Sequence, residues 1–184
     1  QITINNYIIN DETADIVNIN AEEITVDSIL IFIDDSRINC GQTTTIDEVK
    51  DCICSNADIE DGQVITIKIM KAGIDTDGVS TLDIIYTLRH ILNIPPFLES
   101  HETTACDVNE DGKITTLDAL YMRRLILGMI TEFPGTHNWI FFKIDELSNS
   151  GKDLIETTKM ALCNDQLKIL AIKKGDINGT ATGL

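Results

Sequence analysis

The sequence predicts an α+β fold in which a β-sandwich, a pair of loop-helix repeats and a C-terminal β segment follow one another. Three observations predict it. Short Ile-rich runs fill residues 1–70, partly alternating with polar residues as strands do. The apolar spacing then becomes helical twice, at 80–94 and at 115–129, before β-type runs return from residue 138. We therefore expect three parts, with boundaries at 1–71, 72–132 and 133–184.

The predicted sandwich rests on two clear strands, EITVDSILIFIDD and QVITIKIM. In the second strand Ile65, Ile67 and Ile69 share one face, because successive side chains of a strand point to opposite sides. The intervening residues 36–62 are rich in Asn, Asp, Thr and Gly, so we expect turns at both ends of this stretch. Several short strands separated by turns favour a small sandwich.

The first ten residues, QITINNYIIN, are predicted to be a terminal strand. Such a strand either completes its own sandwich or pairs with the open sheet edge of another subunit. In the second case it would be an assembly strand. Its candidate assembly residues are Ile2, Ile4, Tyr7, Ile8 and Ile9.

The two helical segments are copies of each other. STLDIIYTLRHILNI at 80–94 and TTLDALYMRRLILGM at 115–129 are identical at seven of fifteen positions. Each follows an Asp- and Gly-containing loop, which makes the repeat unit an acidic loop followed by a helix. After the repeats, strands are expected at 138–144 and from 166, and the polar stretch 145–165 is predicted to be a loop with a strand edge.

The cysteines leave several alternatives open. No CxxC pair occurs, so a zinc site is not expected. Cys40 could bond with Cys52 or Cys54, and buried thiols are the alternative. The odd count leaves at least one thiol free or paired between chains. The cysteines are Cys40, Cys52, Cys54, Cys106 and Cys163.

The composition excludes several classes of function. The net charge of −16 argues against nucleic acid and anionic membranes as partners, and it indicates either cation binding or simply a soluble surface. No apolar run is long enough to span a bilayer. The three histidines are scattered and no nucleophile motif or phosphate loop occurs, so we do not expect an enzyme.

The stretch DVNEDGKITTLD, residues 107–118, places an oxygen at every position that a calcium loop of the EF-hand type requires. Calcium takes six to eight oxygen ligands, supplied by loop positions 1, 3, 5, 7, 9 and 12. Gly112 at position 6 permits the sharp turn. The candidate ligands are Asp107, Asn109, Asp111, the carbonyl of Lys113, Thr115 and Asp118.

The earlier loop, IDTDGVSTLD, is one residue shorter between its glycine and its final Asp. Its candidate ligands are Asp75, Asp77, the carbonyl of Val79, and Asp83. The sequence leaves open whether this loop also binds calcium or is a vestigial loop held by hydrogen bonds.

A duplicated loop-helix unit with Asp at the last ligand position resembles the dockerin type I repeat, over residues 72–132. The flanking runs NWIFFK and KKGDINGTA further resemble dockerin-like modules of large secreted bacterial surface proteins. In those proteins a small β-sandwich of the carboxypeptidase-regulatory or prealbumin-like type precedes the module, so we expect a sandwich of the immunoglobulin or prealbumin-like type here. The resemblance implies Ca²⁺ as the cofactor, with one site in the second loop and a second candidate in the first. The run ESHETTACD has no apolar stripe, so no helix is expected before the second loop.

The resemblance leaves two functions open. The first is a calcium-stabilised, non-enzymatic extracellular module of a bacterial surface protein or filament, partnered by copies of itself or by neighbouring modules. The alternative is an adaptor that binds a cohesin-like receptor. Dockerins use loop positions 10 and 11 for that purpose, here Thr81-Leu82 and Thr116-Leu117. We expect both leucines to face the core, which favours the first function. The start at Gln1 in place of Met indicates either processing, which export would explain, or a trimmed chain. We favour export and expect an extracellular or cell-surface location.

Overall fold

The structure is a computed structural model, and it describes residues 2–4, 7–9, 16–17, 24–73, 76–94, 100–143, 154–164 and 167–181. Over these residues the chain has a mixed α+β fold. The strands are β1 (Ile2–Ile4), β2 (Tyr7–Ile9), β3 (Ile16–Val17), β4 (Ser28–Ile33), β5 (Ser36–Ile38), β6 (Val64–Met70), β7 (Trp139–Lys143), β8 (Leu154–Thr158) and β9 (Ile169–Lys173). The helices are α1 (Ile46–Cys54), α2 (Thr81–Ile91), α3 (Ser100–Cys106), α4 (Thr116–Ile126) and α5 (Lys159–Cys163).

The larger sheet is antiparallel and has the strand order β5-β4-β6-β8. Strand β6 lies between β4 and β8, with Ile67 opposite Ile31 on one side and Ile155 on the other. Ile65, Ile67 and Ile69 are buried, so the predicted apolar face of this strand is confirmed. The alternation in sequence therefore reports a strand with one face on the core.

The smaller sheet has the order β3-β9-β7, with β3 parallel and β7 antiparallel to β9. It is covered on both faces, which explains the continuous apolar runs of β7 and β9. Phe141 and Ala171 face a first core that the larger sheet, α1 and α5 share. Ile140 and Ile172 face a second core, formed with the loop-helix repeats.

The smaller sheet is therefore the layer that joins the repeats to the larger sheet. Strand β8 of the C-terminal segment also completes the larger sheet beside β6. The immunoglobulin or prealbumin-like type of sandwich, and the division at 1–71, 72–132 and 133–184, stay predictions.

The N-terminal segment forms a hairpin, in which β1 and β2 pair antiparallel with Ile2 opposite Ile9 and Ile4 opposite Tyr7. Among the described residues this hairpin is a two-stranded sheet of its own, separate from both larger sheets. The segment is thus two strands instead of the single strand that we predicted. Its pairing with another subunit, through Ile2, Ile4, Tyr7, Ile8 and Ile9, stays a prediction.

Three short helices correct the sequence interpretation. Helix α1 lies between the two predicted turns of residues 36–62, in a region where the sequence predicted β structure and no helix. It forms because Thr45 and Glu48 make a capping box and Ile46, Val49 and Ile53 share a buried face. Helix α5 lies in a predicted loop and begins at the capping residue Thr158. Helix α3 precedes the second loop, where no helix was expected, and packs against β9.

Two disulfides connect the cysteines. Cys40 bonds with Cys52, one of the two pairings left open above. Cys54 bonds with Cys163 and joins the C-terminal ends of α1 and α5. Cys106 is a buried free thiol, and burial raises its pKa to about 12.

Candidate functional site

The two repeats have the same local geometry. Helices α2 and α4 pack against each other, and their N-cap residues, Ser80 and Thr115, have nearly identical backbone angles. In each repeat the cap side chain accepts a hydrogen bond from the helix backbone, and the Asp three residues later caps in return. This capping box uses Asp83 in the first repeat and Asp118 in the second, where the helix dipole also favours a carboxylate.

The second loop is held in a tight turn by hydrogen bonds between its own polar side chains and its backbone N–H groups. Asp107 accepts hydrogen bonds from the backbone N–H groups of Asp111 (3.1 Å) and Gly112 (2.9 Å). Asn109 Oδ1 accepts from Asp111 N, and Asp111 Oδ1 accepts from Lys113 N. Gly112 has φ +78°, a conformation that favours glycine. The predicted ligand residues at positions 1, 3, 5 and 7 are therefore gathered in one tight loop.

Asp118 closes this loop with one carboxylate oxygen. Oδ2 accepts from Thr115 N (2.8 Å) and from the Thr115 hydroxyl (3.2 Å). Oδ1 is buried and has no hydrogen-bond partner in the described part of the chain. Burial raises the pKa of Asp118 above its ordinary value, and the Asp107 carboxylate adds to this, while hydrogen bonds from Thr115 and a backbone interaction with Asn109 oppose it. An orphaned carboxylate oxygen beside a second carboxylate is an arrangement that a cation would stabilise.

The donor set of the second loop fits calcium. Asp107, Asn109, Asp111, Thr115 and Asp118 supply hard oxygens, and the Lys113 carbonyl completes a set of the kind that calcium prefers. The loop carboxylates nevertheless turn toward backbone N–H groups. Within the described ranges, no group of three or more His, Cys, Asp or Glu side chains is placed to hold a metal ion. Metal ligation by these residues therefore stays a prediction.

The first loop differs from the second at Asp83, the residue equivalent to Asp118. Asp83 is fully buried, and its Oδ2 accepts from Ser80 N (2.8 Å) and the Ser80 hydroxyl (2.7 Å). Its Oδ1 accepts from Ile177 N at 2.8 Å and from Asn178 N at 3.4 Å. Both oxygens are thus satisfied by protein donors, two of them from the far end of the chain.

The remaining predicted ligands of the first loop lie in different environments. Val79 is buried in the second core, and its backbone N–H bonds to the Thr76 carbonyl. Asp77 is half-buried, while Asp75 lies outside the described residues. Burial lowers the pKa of Lys71, and the charges of Asp27 and Asp77 oppose this change only in part.

Residues 175–181 cover the first loop, and we call them the C-terminal clasp. Asp176 Oδ1 accepts from Thr180 N (3.0 Å), and Oδ2 accepts from Ala181 N (2.7 Å). Burial raises the pKa of Asp176 despite these bonds, and the charge of Asp83 raises it further. The run KKGDINGTA marks this segment in the sequence, but nothing in its spacing indicates that it contacts the first loop.

Behind the second loop lies a lysine that sequence reasoning missed. Lys174 is buried, and its ammonium donates to the carbonyl oxygens of Thr104 (3.0 Å) and Asp107 (2.6 Å). Burial lowers the pKa of Lys174, while the charges of Glu110, Asp107 and Asp118 raise it. Lys174 therefore connects the C-terminal end of α3 to the first residue of the second loop.

The outer faces of α2 and α4 carry exposed apolar side chains. Leu82 is 42% exposed and Leu117 is 40% exposed, so the expectation that both face the core is wrong. The next residues along the same faces, Ile85 and Leu120, are 50% and 46% exposed. The core is filled instead by other faces of the repeats, including Met122. We call Leu82, Ile85, Leu92, Leu117, Leu120 and Leu127 the twin apolar face.

The comparisons with known proteins identify the repeats. Residues 74–127 match the model of the dockerin type I domain. No curated protein and no solved structure matches the chain. In the described part of the chain, no helix combines the length and apolarity needed to cross a membrane. Dockerin domains are non-catalytic and bind calcium as a class. Residues 74–127 of this chain are a dockerin-type module.

Proposed function

We propose that this chain is an extracellular adaptor whose dockerin-type module binds a cohesin-like receptor through the twin apolar face. The observation that carries the proposal is the exposure of equivalent residues on both helices, Leu82 with Leu117 and Ile85 with Leu120. Exposed apolar patches rimmed by polar residues are typical of protein interfaces. Thr81 and Thr116, also exposed, lie beside the leucines at the start of each helix.

Calcium is the proposed cofactor of the module. The second loop supplies the oxygen set, and the orphaned Oδ1 of Asp118 supports a cation there. The ligands we propose are Asp107, Asn109, Asp111, the Lys113 carbonyl, Thr115 and Asp118.

The extracellular location is supported by the two disulfides, Cys40–Cys52 and Cys54–Cys163, because disulfides persist in oxidising compartments. A sandwich of the immunoglobulin or prealbumin-like type would then be the stalk that carries the module. The other expected function, a filament subunit joined through the N-terminal segment, has less support, because β1 pairs with β2 of its own chain.

The adaptor proposal is tested by measuring binding of the full chain, with calcium, to a panel of immobilised cohesin domains. We expect at least one cohesin to capture it. Because the face occurs twice, the informative variant changes both helices, Ile85→Lys with Leu120→Lys. Burying two unpaired charges in the interface should weaken binding by about tenfold or more.

The matched control is Leu154→Lys with Met160→Lys, which changes two similarly exposed apolar residues outside the module (46% and 58% exposed). This control should bind like the unmodified chain. Capture by no cohesin, or an equal loss in both double variants, would contradict the proposal.

A further inference from the structure

We propose that the C-terminal clasp supplies the first half of the first calcium loop, so that the first metal site is built from two distant segments of the chain. We call it the composite site. The inference rests on calcium as the proposed cofactor and does not depend on cohesin binding. The ligands of the composite site would be Asp176, Asn178, Thr180, the Gly78 carbonyl, Ser80 and Asp83.

The clasp has the residue types of a calcium loop at its first six positions. The run DINGTA at 176–181 matches the run DVNEDG at 107–112, with an oxygen-bearing side chain at positions 1, 3 and 5 of both. Those positions supply side-chain ligands to calcium in loops of this type. The apolar residues at position 2, Ile177 and Val108, are both buried in the second core.

The clasp also folds like the first half of the second loop. Asp176 Oδ1 accepts from the N–H four residues later at 3.0 Å, and Oδ2 accepts from the N–H five residues later at 2.7 Å. Asp107 makes the same two bonds in the second loop, at 3.1 Å and 2.9 Å. Position 4 has a positive φ in both segments, 70° at Gly179 and 58° at Glu110. The two segments therefore share one backbone turn.

The clasp meets the first repeat at the point where the second loop would continue into its own second half. Counted back from the final Asp, Gly78 is the equivalent of Lys113, whose carbonyl is the candidate ligand at position 7. Lys113 follows Gly112 in the chain. Gly78 lies beside the equivalent of Gly112 in the clasp, because a Cβ built on Gly78 would be 2.6 Å from Ala181 N. The chain break between the two segments thus falls between positions 6 and 7 of one loop.

The final Asp of each repeat contacts the same part of its loop. Asp83 Oδ1 accepts from Ile177 N at 2.8 Å and from Asn178 N at 3.4 Å. Asn109, the equivalent of Asn178, has a backbone interaction with Asp118 in the second loop. The clasp therefore packs on the first repeat in the register that the second loop adopts on the second repeat.

The donor set of the composite site fits calcium. It contains two carboxylates, one amide oxygen, two hydroxyls and one carbonyl, all of them the hard oxygens that calcium prefers. Asp83 and Asp176 are buried, and they lie close enough for the charge of Asp83 to act on Asp176. A cation between two buried carboxylates relieves their repulsion.

The hydrogen bonds of the clasp are compatible with a bound cation. An ionised carboxylate has about four acceptor positions, and Asp107 of the second loop forms the same bonds to the turn. The hydroxyls of Ser80 and Thr180 donate to Asp83 and Asp176. A hydroxyl rotates freely, so each of them can present its oxygen to calcium instead.

The composite site explains why the first loop is one residue too short in sequence. Its glycine, Gly78, is at position 7 instead of position 6. Asp77 then falls at position 6 and Asp75 at position 4, and neither position supplies a side-chain ligand. The predicted ligands Asp75 and Asp77 are thus replaced by residues from the other end of the chain.

The test counts bound calcium in the full-length chain and in single variants. Each protein is equilibrated with excess calcium, separated from free metal, and analysed for calcium per chain. We expect two ions per chain, one in the second loop and one in the composite site. Asp176→Asn and Asp107→Asn, which change position 1 of each loop, should each lose one ion or bind it about 100-fold more weakly.

The matched control is Asp77→Asn, which removes the same charge at a position that the composite site does not use. This variant should keep both ions. A site built from the aspartates of the first loop alone gives the reverse result, in which Asp77→Asn loses an ion and Asp176→Asn keeps both. That result would overturn the proposal.

Thr180→Asp tests the composite site by a gain of affinity. Thr180 is exposed and is the equivalent of Asp111, so a carboxylate is sterically acceptable there. It should tighten one of the two calcium affinities by about tenfold, because affinity increases with the number of charged ligands. Competition with a chromophoric chelator measures both affinities, and the neutral variant Thr180→Asn should show no such gain.

The outcomes separate this inference from the cofactor proposal. One ion per chain that Asp107→Asn removes, or unchanged affinities in Thr180→Asp, would overturn the composite site and leave calcium in the second loop. No bound calcium at all would overturn both. If Asp176→Asn does not fold, the count for the unmodified chain, the Asp77→Asn control and the Thr180→Asp titration still decide.

Discussion

Asp83 and Asp118 occupy the same position of a repeat and have the same capping role. Their Oδ1 atoms, which do not cap the helix, differ in their hydrogen bonds. Each Oδ2 accepts from the N-cap residue of its helix. Because a capping box is a local interaction, the repeat preserves it in both copies. The Oδ1 atoms depend on tertiary contacts, which the clasp supplies to only the first copy.

The glycines of the two loops offer a matched pair of substitutions. Gly78 and Gly112 both have positive φ, at 73° and 78°, so alanine is strained by a similar amount in each, about 1 kcal/mol or more. Only at Gly78 would the new methyl group also collide with the clasp, at Ala181 N and Asp176. We therefore expect Gly78→Ala to lower the free energy of unfolding by roughly 2 kcal/mol more than Gly112→Ala does.

Urea unfolding monitored by tryptophan fluorescence measures this difference. The experiment is done in EDTA, so that a change in calcium affinity at Gly112 does not enter. Equal losses for the two variants would mean that the clasp does not press on the first loop in solution.

At the scale of elements, α2 and α4 show how much a helical pattern leaves undecided. The apolar spacing of Leu82 and Ile85, and of Leu117 and Leu120, predicts the helices correctly. It does not tell which apolar residues face the core, because both helices are also apolar on other faces. Met122 and Leu125 fill the second core, which leaves the outer residues exposed.

The two disulfides differ in the length of chain that they close. Cys54–Cys163 spans 109 residues and joins α1 to α5, whereas Cys40–Cys52 spans 12. In the chain-entropy description the longer closure restricts the unfolded state more, by about 4 to 5 kcal/mol against about 3 kcal/mol. We expect Cys54→Ser with Cys163→Ser to destabilise the chain more than Cys40→Ser with Cys52→Ser.

Chemical denaturation of both double variants, under conditions that keep the remaining disulfide oxidised, measures the comparison. A greater loss in the Cys40 and Cys52 variant would show that the link between α1 and α5 contributes less than the local one.

At the scale of the whole molecule, the three-stranded sheet packs against both hydrophobic cores, so the stability of one core depends on the other. One of its faces packs in the first core with the larger sheet, and the other packs in the second core with the repeats. Lys174 and the clasp continue directly from β9 and hold both loops. Ordering of the second loop by calcium should therefore be felt by the whole fold.

Removing calcium should lower the thermal midpoint of the intact chain. A ligand present at 100 times its dissociation constant stabilises by about 2.7 kcal/mol, which corresponds to a shift of about 5 to 11 °C for a chain of this size. Scanning calorimetry with calcium and with EDTA measures the shift. The variant Asp118→Asn should show a smaller difference between the two conditions than the unmodified chain, and an unmodified chain with the same midpoint in both would contradict calcium binding.

By itself, the sequence determined the features that depend on neighbouring residues. The repeat, the two capped helices, the turn at Gly112 and the buried face of β6 all follow from spacing and composition, because their interactions are local. The helix α1 was missed although Thr45, Glu48 and its apolar spacing were present, since polar flanking residues indicated turns. The dockerin resemblance also came from the motif itself, and the family comparison supports it.

Only the tertiary structure decided what surrounds those elements. The outward orientation of Leu82 and Leu117, the bond between Cys54 and Cys163, and the contact of Ile177 with Asp83 join residues that are distant in the chain or depend on how helices pack. Such contacts follow from the placement of β7 and β9 between two cores, which no local pattern encodes. The first loop therefore looks like a calcium loop in sequence and is closed by protein donors in the fold.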